Sequence, residues 1–130
     1  MKYFVRVIIR DPYENKFLVL NERREQRDIW NFPGGKIEPF ENNLSACIRE
    51  VYEETSLKIC DLTLLFQKEF YESGNKWVGY YFLANNADGE INVVEEKCKG
   101  YNFITLSEIF KSDNKYIFSA GTYIEGLIND

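Results

Sequence analysis

The chain contains no histidine. That excludes Ser-His and Cys-His nucleophile systems and histidine-ligated zinc. Acid–base chemistry must then fall to carboxylates, lysine, tyrosine or metal-bound water. Cysteine is scarce: Cys47, Cys60 and Cys98 are odd in number and widely spaced. They form neither a disulfide framework nor a metal-ligand pair, and they read as free, buried thiols of a cytoplasmic protein. Long apolar runs are missing too. "FVRVIIR" and "LTLLF" are far too short to cross a bilayer, so no membrane partner is expected. The opening "MKYFVRVIIRDP" carries charge inside its apolar run and has no small-residue cleavage site, so it reads as a strand and not as a signal peptide. Basic charge is in deficit, with 16 Lys and Arg against 21 Asp and Glu, a net charge of −5. A nucleic acid polymer is therefore not an expected partner, because binding one needs a basic footprint. A small phosphorylated ligand is compatible, since a bound divalent cation reverses the local sign of an acidic site. Repeats, low-complexity tracts and linkers are also absent, and 130 residues suit one domain, 1–130.

What is present is a succession of short apolar segments. Residues 3–10 and 17–22 are rich in β-branched and aromatic side chains and predict strands, joined by the turn "DPYENK". A charged loop leads to "FPGG", a second turn signal. Residues 43–55 predict a helix capped by Asn42 or Asn43. Residues 62–71 and 77–84 predict long antiparallel strands about the turn "ESGNK", followed by a turn at "NNADGE" and a strand at "INVVE". A short strand at "YNFITL" precedes "TLSE", a capping box, and "GTYIEGLI" predicts a last helix weakened by two glycines. The order of elements predicts an α+β domain with a mixed sheet.

The helix at 43–55 carries Leu44, Ile48, Val51 and Thr55 on one stripe at about 100° per residue. Glu50, Glu53 and Glu54 fall nearly opposite. Like charges three and four residues apart repel, so either something offsets the repulsion or the segment is a solvated acidic face.

The surrounding residues resemble the signature of the Nudix hydrolases, G-x5-E-x7-R-E-U-x-E-E-x-G-U with U bulky and aliphatic. Gly35, Glu41, Arg49, Glu50, Val51, Glu53, Glu54 and Leu57 match it over 23 residues. The preceding "WNFPGG" and "GGKIE" resemble the MutT branch. Ser56 replaces the pattern's last glycine, at a cost on the order of 1 kcal/mol if its φ is positive. Phe40 stands where relatives often have glycine, and is expected to fill part of a pocket or to cover the helix start. The resemblance implies an α/β/α sandwich with a mixed β-sheet between helices. It also implies that Glu50, Glu53, Glu54, the Gly35 carbonyl and Glu96 hold Mg²⁺ or Mn²⁺, hard cations that suit oxygen ligands. Arg49 would hold a glutamate in place. Glu50, Glu41 and the Glu95/Glu96 pair are the candidate bases.

The reaction so implied is hydrolysis of a nucleoside diphosphate linked to another group, and a nucleoside triphosphate cleaved to the monophosphate and pyrophosphate is the expected substrate. Arg23, Tyr80 and Phe82 are the candidate substrate contacts, with Arg24 beside the first and Trp77 on the same strand as the other two. ADP-ribose, nucleotide sugars, dinucleoside polyphosphates and a non-catalytic nucleotide-binding module are the alternatives. A monomer or a homodimer is compatible with the sequence.

Overall fold

The computed structural model describes residues 1–94, 96 and 98–129. Strand β1 (Lys2–Ile8) organises it. Its side chains alternate between two cores, as the two-residue period of a strand requires. Val5 and Val7, continued by Ile9, join one buried cluster, while Phe4 and Ile8 join another. Strand β2 (Lys16–Asn21) does the same, sending Leu18 and Leu20 one way and Phe17 and Val19 the other. Buried on both faces, these strands need a layer on each side.

The expected helix–sheet–helix layering is present, with the strands divided between two sheets. In the first the order is β4-β1-β6-β5, with β4 at Gly34–Lys36, β5 at Lys58–Glu72 and β6 at Asn75–Asp88. It is mixed: β1 runs parallel to β6 and antiparallel to β4. The second has the order β3-β2-β7, with β3 at Trp30–Asn31 and β7 at Gly100–Thr105, and is antiparallel throughout. Helix α1 (Asn43–Thr55) supplies Ala46, Cys47 and Val51 to the first core. Helices α2 (Leu106–Phe110), α3 (Lys115–Phe118) and α4 (Gly121–Asn129) supply Ile109, Ile117 and Ile124 to the second. Among the described residues no helix is long and apolar enough to cross a membrane.

Helix α1 starts and stops where local chemistry dictates. The Asn42 side chain accepts from the Ser45 N–H at 2.8 Å. Ser56 ends the helix in the left-handed region at φ 67. The buried stripe is turned from the expected one: Leu44 and Ile48 are exposed, and Cys47, Val51, Glu54 and Thr55 face inward. Hydrophobic periodicity misplaced it because the inward face includes a carboxylate. Phe40, at φ 68, is fully exposed and fills no pocket.

Two further expectations are corrected. The "NNADGE" turn is not at the asparagines, because β6 continues to Asp88 with Asn86 opposite Cys60 and Asp88 opposite Lys58. Asn85 spends its amide on the Asp61 carbonyl and the Thr63 hydroxyl, which suits an extended chain. Residues 91–94 of "INVVE" form no strand. The Asn92 N–H bonds the Thr55 carbonyl, and Ile91 and Val93 pack on the α1 core, so this segment seals the helix end instead.

Candidate active site

The site begins with two glycines on β4. Gly34 takes φ 150, and a Cβ there would lie 2.0 Å from the Val5 carbonyl oxygen. A side chain is therefore excluded by backbone. At Gly35 a Cβ would meet the Glu50 carboxylate at 2.7–2.9 Å. The space a side chain would occupy is taken by the acid, so Glu50 lies directly against the Gly35 backbone.

Helix α1 delivers the glutamates. Glu54 is 6% exposed, and its Oε1 accepts from the Gly34 N–H at 2.9 Å. Burial pushes its carboxyl up to about 8; the Gly34 hydrogen bond and Arg6 pull the other way, and Glu50 and Glu22 add to the rise. Glu50 and Glu53 accept from Arg49 Nη1 at 3.0 and 3.4 Å. Arg49 also grips Glu41 through Nε at 2.6 Å and Nη2 at 2.9 Å, and donates to the Lys36 carbonyl. This two-pronged contact brings the Glu41 carboxyl down to about 2. Glu41 is thus bound to Arg49, which makes it a weak base.

The glutamates share one corner but do not converge as they stand. Glu50 and Glu53 turn to Arg49, Glu54 turns to Gly34, and among the described residues no three acidic, cysteine or histidine side chains close on a single point. The donor set nevertheless fits a hard divalent cation. The ligand atoms are all oxygens, Glu50 lies directly against the Gly35 backbone, and a nearby cation would offset the burial that makes Glu54 costly to ionise.

The other sequence-derived candidates are scattered. Glu96 is exposed on a turn, and Glu95 lies outside the described residues. Cys98, two residues beyond Glu96, places its Sγ 3.9 Å from the Glu54 carbonyl oxygen, so this loop passes the end of α1. Arg23 is exposed and paired with Asp28 at 3.0 Å. Phe82 is buried in the α1 core and offers no face to a ligand. Tyr80 faces the same side as Phe82, stacks on Tyr3 at 6.4 Å, and lines an open groove with Glu38 and Glu41. Trp77 points to the opposite side of β6, because alternation separates odd from even positions.

That opposite side holds a cavity of about 450 Å³ lined by Phe4, Arg6, Glu22, Trp77, Tyr116 and Glu54 among others. The sequence reading passed over most of these. Phe4, Trp77 and Tyr116 come from distant parts of the chain and meet at Phe4, which lies edge to face with Tyr116 at 5.7 Å between centroids and tilted against Trp77 at 6.2 Å. Arg6 had a visible signal: it is the charge inside "FVRVIIR". Its Nη1 donates to Glu22 Oε1 and the Phe32 carbonyl, both at 3.0 Å, and to the Gly34 carbonyl at 3.4 Å.

Comparison with known proteins places this corner in context. A family model described as the NUDIX domain matches residues 2–124. The 8-oxo-dGDP phosphatase NUDT18 of Danio rerio is 33% identical over 94 residues, covering 72% of this chain and 28% of the relative. The chain thus spans under a third of that protein's length. The 8-oxo-dGTP diphosphatase of Buchnera aphidicola is 27% identical over 89 residues, covering 68% of each chain. Among solved structures, the E. coli ORF135 protein superposes with a TM-score of 0.84 at 18% identity, covering 98% of this chain and 90% of that one. At that identity the likeness speaks for the fold alone.

Proposed function

The chain belongs to the Nudix family, and we propose that it is a Mg²⁺-dependent pyrophosphohydrolase that cleaves a nucleoside triphosphate to the monophosphate and pyrophosphate. The observation that carries this reading is the corner where Glu54, buried and held by the Gly34 N–H, adjoins Glu50 packed against Gly35. Both Glu54 and Gly35 border the 450 Å³ cavity.

Glu50, Glu53, Glu54 and the Gly35 carbonyl would hold Mg²⁺ or Mn²⁺, with Glu96 as a further ligand from its loop. When bound, the ion supplies charge neutralisation at the phosphates and activates water. Glu50 takes the proton from the attacking water. Arg49 orients Glu50 and Glu53 from one guanidinium, and Glu41 fixes Arg49 in turn. The Trp77, Phe4 and Tyr116 rings form an apolar wall suited to a nucleoside base. Arg24, also bordering the cavity, suits contact with phosphate oxygens. These residues take the place of Arg23, Tyr80 and Phe82 as substrate contacts. The three cysteines are free, Cys47 and Cys98 buried and Cys60, against expectation, exposed, and free thiols fit a cytoplasmic setting.

Two relatives named above act on oxidised guanine nucleotides, which puts 8-oxo-dGTP first among triphosphates to test. The experiment is chromatographic identification of products from triphosphates, ADP-ribose, nucleotide sugars and dinucleoside polyphosphates, with Mg²⁺ and with chelator. Monophosphate and pyrophosphate from a triphosphate, only with metal, is the expected result. Turnover of ADP-ribose or a dinucleoside polyphosphate alone overturns the triphosphate assignment. Nucleotide binding without any turnover makes the chain a non-catalytic module.

A further inference from the structure

Strand β1 holds the turn that leads into β4 with unusual completeness. Three consecutive carbonyls of this turn are taken: those of Phe32 and Gly34 by the Arg6 guanidinium, and that of Pro33 by the Val7 N–H at 2.8 Å. The N–H between them, on Gly34, goes to Glu54. Gly34 lacks the side chain that would otherwise limit its backbone, so its orientation must be imposed by partners. Arg6 is the side-chain part of that imposition. Its guanidinium is braced 5.6 Å from the Phe4 ring centroid, and its charge is matched by Glu22, the two side chains being 13% and 11% exposed. Its Nε is buried with no hydrogen-bond partner among the described residues. A buried ion pair contributes little stability compared with apolar side chains of the same size, and an unsatisfied Nε makes it less favourable still. What the pair does supply is direction: both carbonyls flanking the Pro33–Gly34 peptide are held towards one guanidinium.

We propose that Arg6, held by Glu22, is a positioning residue that sets the Gly34 N–H on Glu54, and through it the carboxylate geometry of the metal corner, without itself touching substrate. The inference rests on the hydrolase reading, but two of its readouts need no substrate. Outer partners that orient ligands typically change metal affinity or activity by about 10- to 100-fold when removed. In Arg6→Met, amide hydrogen exchange at Gly34 in metal-free protein should accelerate by about tenfold or more. Mn²⁺ affinity, read from free Mn²⁺ by electron paramagnetic resonance, should fall by about the same factor. kcat should drop while KM stays within about twofold. Arg6→Lys keeps the charge but not the fork of donors, and should recover part of each loss.

Lowered thermal stability with Gly34 exchange and Mn²⁺ affinity unchanged would make Arg6 merely structural and overturn the proposal. Raised KM with both unchanged would make it a substrate contact and overturn it equally. If Arg6→Met does not fold, Glu22→Gln serves in its place: the same shifts in smaller measure support the proposal, and unaltered Gly34 exchange sinks it. Should wild-type protein turn over no nucleotide, the hydrolase reading fails, while the exchange and Mn²⁺ measurements still decide the role of Arg6.

Discussion

Gly34 and Glu54, twenty positions apart, meet through a single 2.9 Å hydrogen bond in which the backbone N–H of one carries the buried carboxylate of the other. A glutamate on a helix and a glycine on an edge strand are thereby locked into one unit. The bond favours the charged form of Glu54, and burial opposes it more strongly. The carboxylate is therefore placed before any cation arrives and is costly to ionise without one.

The first prediction concerns that cost. The folded-state value for Glu54 is raised from 4.5 to about 8, so the stability it contributes is full below about 4.5 and is lost as pH rises through about 8. In EDTA, melting temperature should fall across this window. Glu54→Gln, whose carbonyl can still accept from Gly34, should flatten the fall and melt above wild type at pH 8. The same substitution should lower kcat about 10²-fold or more. Thermal melts against pH in chelator, beside turnover in Mg²⁺, test both; wild-type turnover in Glu54→Gln would remove Glu54 from the site.

The glycines should separate by mechanism. Gly35→Ala places a methyl 2.7 Å from a Glu50 oxygen, and the carboxylate must swing aside. Mn²⁺ affinity and kcat are expected to fall about 10- to 100-fold with little change in melting temperature. Gly34→Ala meets backbone instead, 2.0 Å from the Val5 oxygen, and is expected to destabilise the fold by about 1–3 kcal/mol or more. Denaturant titration of the two variants distinguishes them.

Glu41 acts through acid stability. Arg49 holds its carboxyl near 2 against an ordinary 4.5, so its contribution is present above about 4.5 and disappears as pH falls through about 2. Glu41→Gln should lose stability at pH 7 and show a shallower acid limb than wild type. Identical acid limbs would mean that the Arg49 contact is not kept in solution.

The base is tested by comparing Glu50→Gln with Glu96→Gln. Glu50 lies against Gly35, whereas Glu96 is exposed on its turn. A kcat loss of about 10²-fold or more is expected in the first and a loss under tenfold in the second. The reverse order in single-turnover measurements would transfer the base to the loop.

How much of this was legible in the sequence follows from the range of the interactions. The ends of α1, the Asn42 cap, the left-handed Ser56 and the Thr105–Glu108 capping box depend on neighbours a few residues away, and local signals found them. The inward turn of Glu54 was missed because its partner is a backbone N–H on another element, which hydrophobic periodicity does not register. The extent of β6 was missed because pairing with β5 overrides the turn preference of two asparagines. The Phe4, Trp77 and Tyr116 wall depends on the order of strands in the sheet, so spacing along the chain could not reveal it. Phe82 was misjudged for a related reason: at that point β6 is covered on both faces, Phe82 lying in one core and Tyr81 in the other, and alternation along the chain does not tell a covered face from an open one.

The parallel pairing of β1 with β6 also governs the order of folding. Lys2 stands opposite Trp77 and Ile8 opposite Leu83, partners more than half the chain apart, whereas β5 and β6 are joined by a tight turn between Glu72 and Asn75. Local pairings close early and distant ones late, because loop-closure entropy must be met first. During synthesis β1 emerges well before β6 and waits, unpaired on that side, until the residues between them have followed. The wall of the cavity and the clamp on the Gly34 turn both depend on β1, so catalytic competence should arrive at the close of folding, after the β5–β6 hairpin and α1 have formed.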